Sequence, residues 1–182
     1  MQRFRSDLRK YREYSGKSSL NLLLTHQGLW AIFVYRINNG IYTSEISIVL
    51  KRLLLIFGVF FQKLMEILTG ISLPYSASIG NEFYIGHFGG IIISSRAIIG
   101  DNCNIAQGVT IGISGRKDRR GVPIIGNNVY IGVNAVIAGA VEVGDNAVIG
   151  ANSLVINPVA PNTTVLGVPA TKINDKTSQD YI

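Results

Sequence analysis

The chain has 182 residues, 47% of them hydrophobic and 15% charged, with a formal net charge of +6. That length and apolar content suit a folded domain with a real core and exclude an intrinsically disordered chain. A single cysteine, Cys103, excludes an intrachain disulfide and an all-cysteine metal site; with only His26 and His87 as imidazoles, far apart in the sequence, a cytoplasmic protein without a metal is the expectation.

The excess charge lies at the front. Residues 1–70 hold ten Lys/Arg against four Asp/Glu, whereas residues 71–182 hold seven of each. The cations flank apolar runs such as LNLLL and IVLKRLLLIFGVFF, a pattern that suits an anionic membrane surface or a hydrophobic partner better than nucleic acid. The uncharged run from Leu53 to Gln62 is about half of the ~20 residues needed to span a bilayer, so insertion is not expected; peripheral docking, at the inner face of the cytoplasmic membrane or on a partner, stands beside a merely solvated basic face. No signal peptide is read at the N-terminus, whose charged segment is long and lacks a small-residue cleavage site.

From residue 4 to 69 the apolar residues recur at helical spacing, punctuated by Gly16, the Asn38-Asn39-Gly40 turn and Gly70. This predicts an α-helical N-terminal region over 1–70 with three or four helices. The last, from about Ser44 to Leu68, is apolar on nearly every side and needs cover from other helices, a subunit or lipid.

After Pro74 the period changes. Aliphatics fall every six residues at Ile99, Ile105 and Ile111, and again at Ile125, Ile131, Ile137, Val143, Ile149 and Val155. Four residues after each comes a small or β-branched residue, Cys103 among them, and five units carry Gly-x-Asn, which tolerates left-handed backbone at a corner. A short strand and a corner every six residues closes a triangular coil after three units, and stacked coils bury a continuous core: a parallel β-helix. Two interruptions are read, an eight-residue step between Ile91 and Ile99 and the basic insertion SGRKDRRGVP, with Arg116, Lys117, Arg119 and Arg120.

Within YIGHFGGIII, His87 stands among glycines and branched aliphatics. A neutral imidazole suits general-base work near neutral pH, and Gly86, Gly89 and Gly90 let a substrate approach the backbone. The plain alternative is a histidine satisfied within the core or at its edge.

The runs GNEFYIGHFGGIII, AIIGDNCNIAQGVTIG and PNTTVLGVPATKI, with GLWAIFVYRI in the helices, resemble the serine acetyltransferase branch of the hexapeptide-repeat acyltransferases over residues 28–173. The resemblance implies a left-handed parallel β-helix acyltransferase domain over 71–173, followed by a tail over 174–182. It also implies a homotrimer, with a dimer of trimers as a further step, and acetyl-CoA as co-substrate in a groove between subunits. His87 then matches the family's general base. Ile113, Ser114, Val133, Ala151, Ala170 and Lys172 match its coenzyme contacts, and Arg116 in the basic loop is a candidate partner for the phosphates.

Departures from the family pattern shape the acceptor. Ser72 stands where the family has the aspartate that orients the histidine, and Gly121 and Val122 stand where it has an arginine and a second histidine. A zwitterion needs charged partners, so the expected acceptor is a neutral hydroxyl of a sugar, polysaccharide or lipid-linked glycan, with serine O-acetylation as the alternative and a non-enzymatic scaffold as the third reading. Glu82 and Ser72 are the expected orienting groups for His87.

Overall fold

Ser18 and Ser47 each accept a hydrogen bond from the backbone N–H three residues on, at Asn21 and Leu50, satisfying donors that a helix start leaves unpaired. The computed structural model, which describes residues 2–116 and 120–182, has four helices: α1 (Gln2–Ser15), α2 (Ser19–Thr25), α3 (Gln27–Thr43) and α4 (Ile48–Thr69). Helix α4 stops at Gly70, whose φ of +65° is the left-handed cap that glycine adopts without penalty. Its inner side packs on α3, where the Asn38 amide donates to the Gly58 carbonyl at 2.8 Å. Its outer side, with Val49, Leu53, Ile56, Phe60 and Ile67, stays exposed. Among the described residues no helix is long and apolar enough to cross a membrane.

The remainder is a stack of triangular coils. The first comprises β1 (Ile71–Ser72), β2 (Ser78–Ile79) and β3 (Tyr84–Ile85), and the second β4 (Ile91–Ile93), β5 (Ile98–Ile99) and β6 (Asn104–Ile105). Then follow β7 (Thr110–Gly112), β8 (Ile124–Ile125) and β9 (Tyr130–Ile131), and after them β10 (Val136–Ala138), β11 (Glu142–Val143) and β12 (Val148–Ile149). The last coil has β13 (Leu154–Val155), a single parallel bridge from Val143 to Val159, and β14 (Thr164–Gly167), against which β15 (Ala170–Asn174) turns back antiparallel. The strands form three sheets, ordered β1-β4-β7-β10-β13, β2-β5-β8-β11 and β3-β6-β9-β12-β14-β15. Apart from the final pair, every strand pairing is parallel.

Most strands turn an aliphatic residue inward with a smaller one two residues before it, as in Ala77 and Ile79, Ala97 and Ile99, or Cys103 and Ile105, all buried; in β3 the earlier residue is the larger Phe83. Burying such an aliphatic is worth ~1.5–3 kcal/mol, repeated at every step of the coil. Asn102, Asn128, Asn134, Asn146 and Asn152 all have φ between 54° and 60°, so each Gly-x-Asn unit does turn a corner in left-handed geometry. The first interruption moves, however. Ile93 to Ile99 is an ordinary six-residue step, and the two extra residues fall between Ile85 and Ile93, in the turn that carries His87.

The chain folds back at its C-terminal end. Tyr181 stacks on Tyr130 with ring centroids 4.6 Å apart, and its carbonyl accepts hydrogen bonds from Tyr14 and Asn104, each at 2.8 Å.

Candidate active site

Strand β3 ends at Ile85, and two elements fix that end. The Tyr11 hydroxyl of α1 donates to the Ile85 carbonyl at 2.8 Å and accepts from the Ile85 N–H at 3.0 Å. Gly28 of α3 lies against the same residue, where a Cβ would come within 2.8 Å of the Ile85 carbonyl. Two residues later His87 projects, exposed, from a turn completed by exposed Phe88 and by Gly89 and Gly90 at φ +100° and +68°. The two extra residues push this turn out of the six-residue path, which takes the imidazole off the wall of the coil.

Below His87 the same corner repeats from coil to coil. The Gly108 N–H donates to the Gly89 carbonyl at 3.0 Å, the Asn134 N–H to that of Gln107 at 3.0 Å, and the Asn152 N–H to that of Val133 at 2.8 Å. Val133 and Ala151 therefore stand in line beneath the histidine, and the β14–β15 hairpin carries Ala170 to the far end of the same sheet. Ile113 and Ser114 stand at the next corner, across the sheet that contains β7, where Ser114 and Gly121 exchange backbone hydrogen bonds at 3.2 and 3.1 Å and close the basic loop. Arg116 is exposed there; Lys117 and Arg119 lie outside the described residues. Lys172 is ion-paired with Asp175.

Glu82 is not brought to His87. It sits at the opposite end of β3, at φ +56°, and is ion-paired with Arg9 of α1, so the carboxylate expected to orient the imidazole belongs to another corner. Ser72 is better placed. It follows Gly70, and a Cβ on Gly70 would lie 3.1 Å from the Cα of Gly89 and 3.2 Å from the nitrogen of Gly90, so β1 starts directly against the His87 turn. The Ser72 hydroxyl donates to Oε1 of Glu66 at 2.9 Å.

Glu66 and His26 are absent from the residues that the sequence singles out. The left-handed cap at Gly70 reverses the chain and so brings Glu66 to Ser72; a glycine closing an apolar helical run was the available signal. His26, between α2 and α3, packs edge-on against Tyr11 with centroids 5.9 Å apart. Burial pulls its pKa below the ordinary imidazole value, and the charges of Lys17 and His87 act in the same direction. Nothing in the sequence joins His26 to His87, because only the packing of α1 and α3 on β3 brings them within electrostatic reach.

Residues 123–157 match the family described as bacterial transferase hexapeptide (six repeats). A serine acetyltransferase of Synechococcus elongatus is 33% identical over 158 residues, 87% of this chain, and the chain spans 62% of the length of that relative. A serine acetyltransferase of Staphylococcus epidermidis is 32% identical over 171 residues, covering 93% of this chain and 76% of the relative. Among solved structures, serine acetyltransferase from Brucella abortus in complex with coenzyme A matches with a TM-score of 0.83 at 27% identity, over 96% of this chain and 68% of the other. Soybean serine acetyltransferase complexed with serine matches with a TM-score of 0.82 at 28% identity, over 94% and 68%. The fold they share with this chain is a left-handed parallel β-helix behind an α-helical N-terminal region.

These matches correct the expectation of a glycan acceptor and of a role in polysaccharide biosynthesis, since the relatives and structures are serine acetyltransferases. The expectation rested on charges missing at positions 72, 121 and 122. At Ser72 the structure restores one, because the Glu66 carboxylate arrives from α4 where the strand itself lacks an acidic side chain. At 32% identity over more than two thirds of the staphylococcal relative, and with the hexapeptide repeat matched, the chain belongs to the hexapeptide-repeat acyltransferases, in their serine acetyltransferase branch.

Proposed function

We propose that this protein transfers the acetyl group of acetyl-CoA to the hydroxyl of L-serine, giving O-acetylserine and free CoA thiol. The observation that carries the reading is the ejected turn: it presents His87 to solvent at the head of a corner built from small residues and backbone. Nε2 of His87 takes the hydroxyl proton as the serine oxygen attacks the thioester carbonyl. The carbon–oxygen bond forms, the carbon–sulfur bond breaks, and the imidazolium returns its proton to the leaving thiolate. Backbone N–H groups along the corner are suited to hold the tetrahedral oxyanion. Val133, Ala151 and Ala170 fit a coenzyme path, since their short side chains leave the backbone accessible along the stack.

A homotrimer is part of the same proposal. Within one chain, Ile113, Ser114 and Arg116 stand at one corner, and His87, Val133 and Ala151 at another. A groove using both sets joins the first corner of one copy to the second corner of its neighbour. Light scattering is expected to give three times the 19.8 kDa chain mass.

The direct test is thiol release from acetyl-CoA with L-serine as acceptor. Turnover at a kcat/KM of ~10⁴ M⁻¹s⁻¹ or more is expected. Absence of thiol release above the serine-free rate sinks the reading.

A further inference from the structure

Glu66 occupies the last turn of α4, with its side chain only 17% exposed. Burial opposes its charge, but donors from Lys63, Gln62 and Ser72 outweigh that and hold the carboxyl below its ordinary range. The Ser72 hydroxyl spends its single proton on Oε1 of Glu66, which leaves its lone pairs free to accept. At the other side of this pair, Gly70 lies against Gly89 and Gly90, and its carbonyl accepts from the Ile91 N–H at 3.0 Å. Ser72 and His87 are thus each two residues from one backbone contact. The cap at Gly70 meets the glycine pair at the base of the histidine turn, and the helix carboxylate reaches Ser72 two residues along from that cap.

We propose that Glu66 is a positioning residue for His87, acting through Ser72: the imidazole Nδ1–H donates to the Ser72 oxygen, whose own proton goes to Glu66. This rests on the assignment of His87 as the base. The relay selects the tautomer whose free Nε2 faces the acceptor hydroxyl, and it sets a negative charge one hydroxyl away from the imidazolium that forms during attack. Glu66 keeps its charge throughout, so no second proton moves. The other charged groups around the turn are His26, from the junction of α2 and α3, and Lys63 beside Glu66 on α4.

His87 is one of only two histidines, so its ring tautomer can be followed by ¹⁵N NMR independently of any acceptor. In Glu66→Gln the neutral ring is expected to change from the single Nδ1–H tautomer to a mixture of the two, because the Ser72 oxygen no longer has a carboxylate to take its proton. In serine turnover the same variant is expected to lose ~10–100-fold in kcat, with an unchanged KM for acetyl-CoA. Adding Ser72→Asp to Glu66→Gln places a carboxylate directly on β1 and is expected to restore both the tautomer and kcat. Lys63→Ala, which breaks the ion pair on α4 and leaves the relay intact, is expected to keep the wild-type tautomer and kcat. The relay is overturned by an unchanged His87 tautomer in Glu66→Gln, by a double variant no better than the single one, or by Lys63→Ala matching Glu66→Gln. A protein that shows the tautomer change on mutation but no turnover of serine sinks the acceptor assignment and leaves the relay standing.

Discussion

The Tyr11 hydroxyl holds both hydrogen-bonding groups of Ile85, donating to its carbonyl and accepting from its N–H, as a neighbouring coil would. The first coil of a solenoid has an open edge, and unpaired strand groups there are costly when buried. Tyr35 serves β2 in the same way, donating to the Ala77 carbonyl at 2.8 Å and accepting from the Ile79 N–H at 3.1 Å. Two phenols on two helices thus close the end of the β-helix, and one of them ends two residues before His87. Tyr11→Phe is expected to cost ~1–3 kcal/mol by leaving buried partners unsatisfied. It is also expected to lower kcat, since the end of β3 aims the histidine turn. An unchanged urea midpoint would show that the hydroxyl does not stand in for a strand.

Arg36 makes a two-pronged ion pair with Asp7 at 2.9 and 3.0 Å, both side chains being almost fully buried, and it also donates to the Ile79 and Gly80 carbonyls. Asp7 in turn accepts from the Phe83 N–H at 2.9 Å, so the pair joins α1, α3 and the first coil. Arg36→Met strands a buried carboxylate and is expected to cost ~3–5 kcal/mol. Adding Asp7→Asn removes that charge and recovers part of the loss, which a double-mutant cycle in urea measures. Equal stability of the single and double variants would contradict the coupling.

His87→Ala removes the proposed base. A fall in kcat of ~10²–10⁴-fold is expected, with little change in the KM for acetyl-CoA, because the residues lining the coenzyme path are untouched. Steady-state kinetics in both substrates decide it: retention of most of kcat places the base elsewhere.

Burial lowers the Lys10 ammonium to about 8, against the pull of the Glu82, Asp7 and Glu13 charges, and its Nζ donates to the Asn102 side chain at 2.6 Å. An unfolded lysine titrates at ~10.4. Between these values the unfolded chain keeps a proton that the folded chain has released, so stability rises with pH over roughly 8 to 10.4. Urea midpoints of the wild type are therefore expected to gain on those of Lys10→Met from pH 8 to 10 and to run parallel to them below pH 8. Parallel behaviour throughout would rule out a buried, weakened ammonium.

Cys103 lies inside the coil with no exposed surface, and burial pushes its thiol up to about 11. Its Sγ also donates towards the Gly126 carbonyl at 3.2 Å. A thiol reagent at pH 8 is expected to leave the native protein unlabelled over hours and to react at once in urea. Rapid labelling of the native state would mean that the coil opens locally at this strand.

Much of the β-helix is legible in the sequence because its period is strict. One inward aliphatic, one small residue and a left-handed asparagine recur at fixed spacing, and a coil offers each residue the same surroundings in every layer. The misread interruption shows where such reading stops. Ile91 and Ile93 both point inward, so counting from Ile91 places the two extra residues one unit too late, and only the paired registers of β1, β4 and β7 set them at His87. Position 72 shows the same limit. The strand offers only a serine there, and the Glu66 carboxylate bonded to it comes from α4.

The repeating coil, its Gly-x-Asn corners and the inward side of most strands are encoded locally, because they depend on a short period and on which residues accept left-handed backbone. What surrounds His87 follows from tertiary packing. Tyr11 from α1, Gly28 from α3 and Glu66 from α4 reach β3 and β1 through helix packing and a reversed cap, and no spacing along the chain encodes contacts between surfaces that meet only after both have folded.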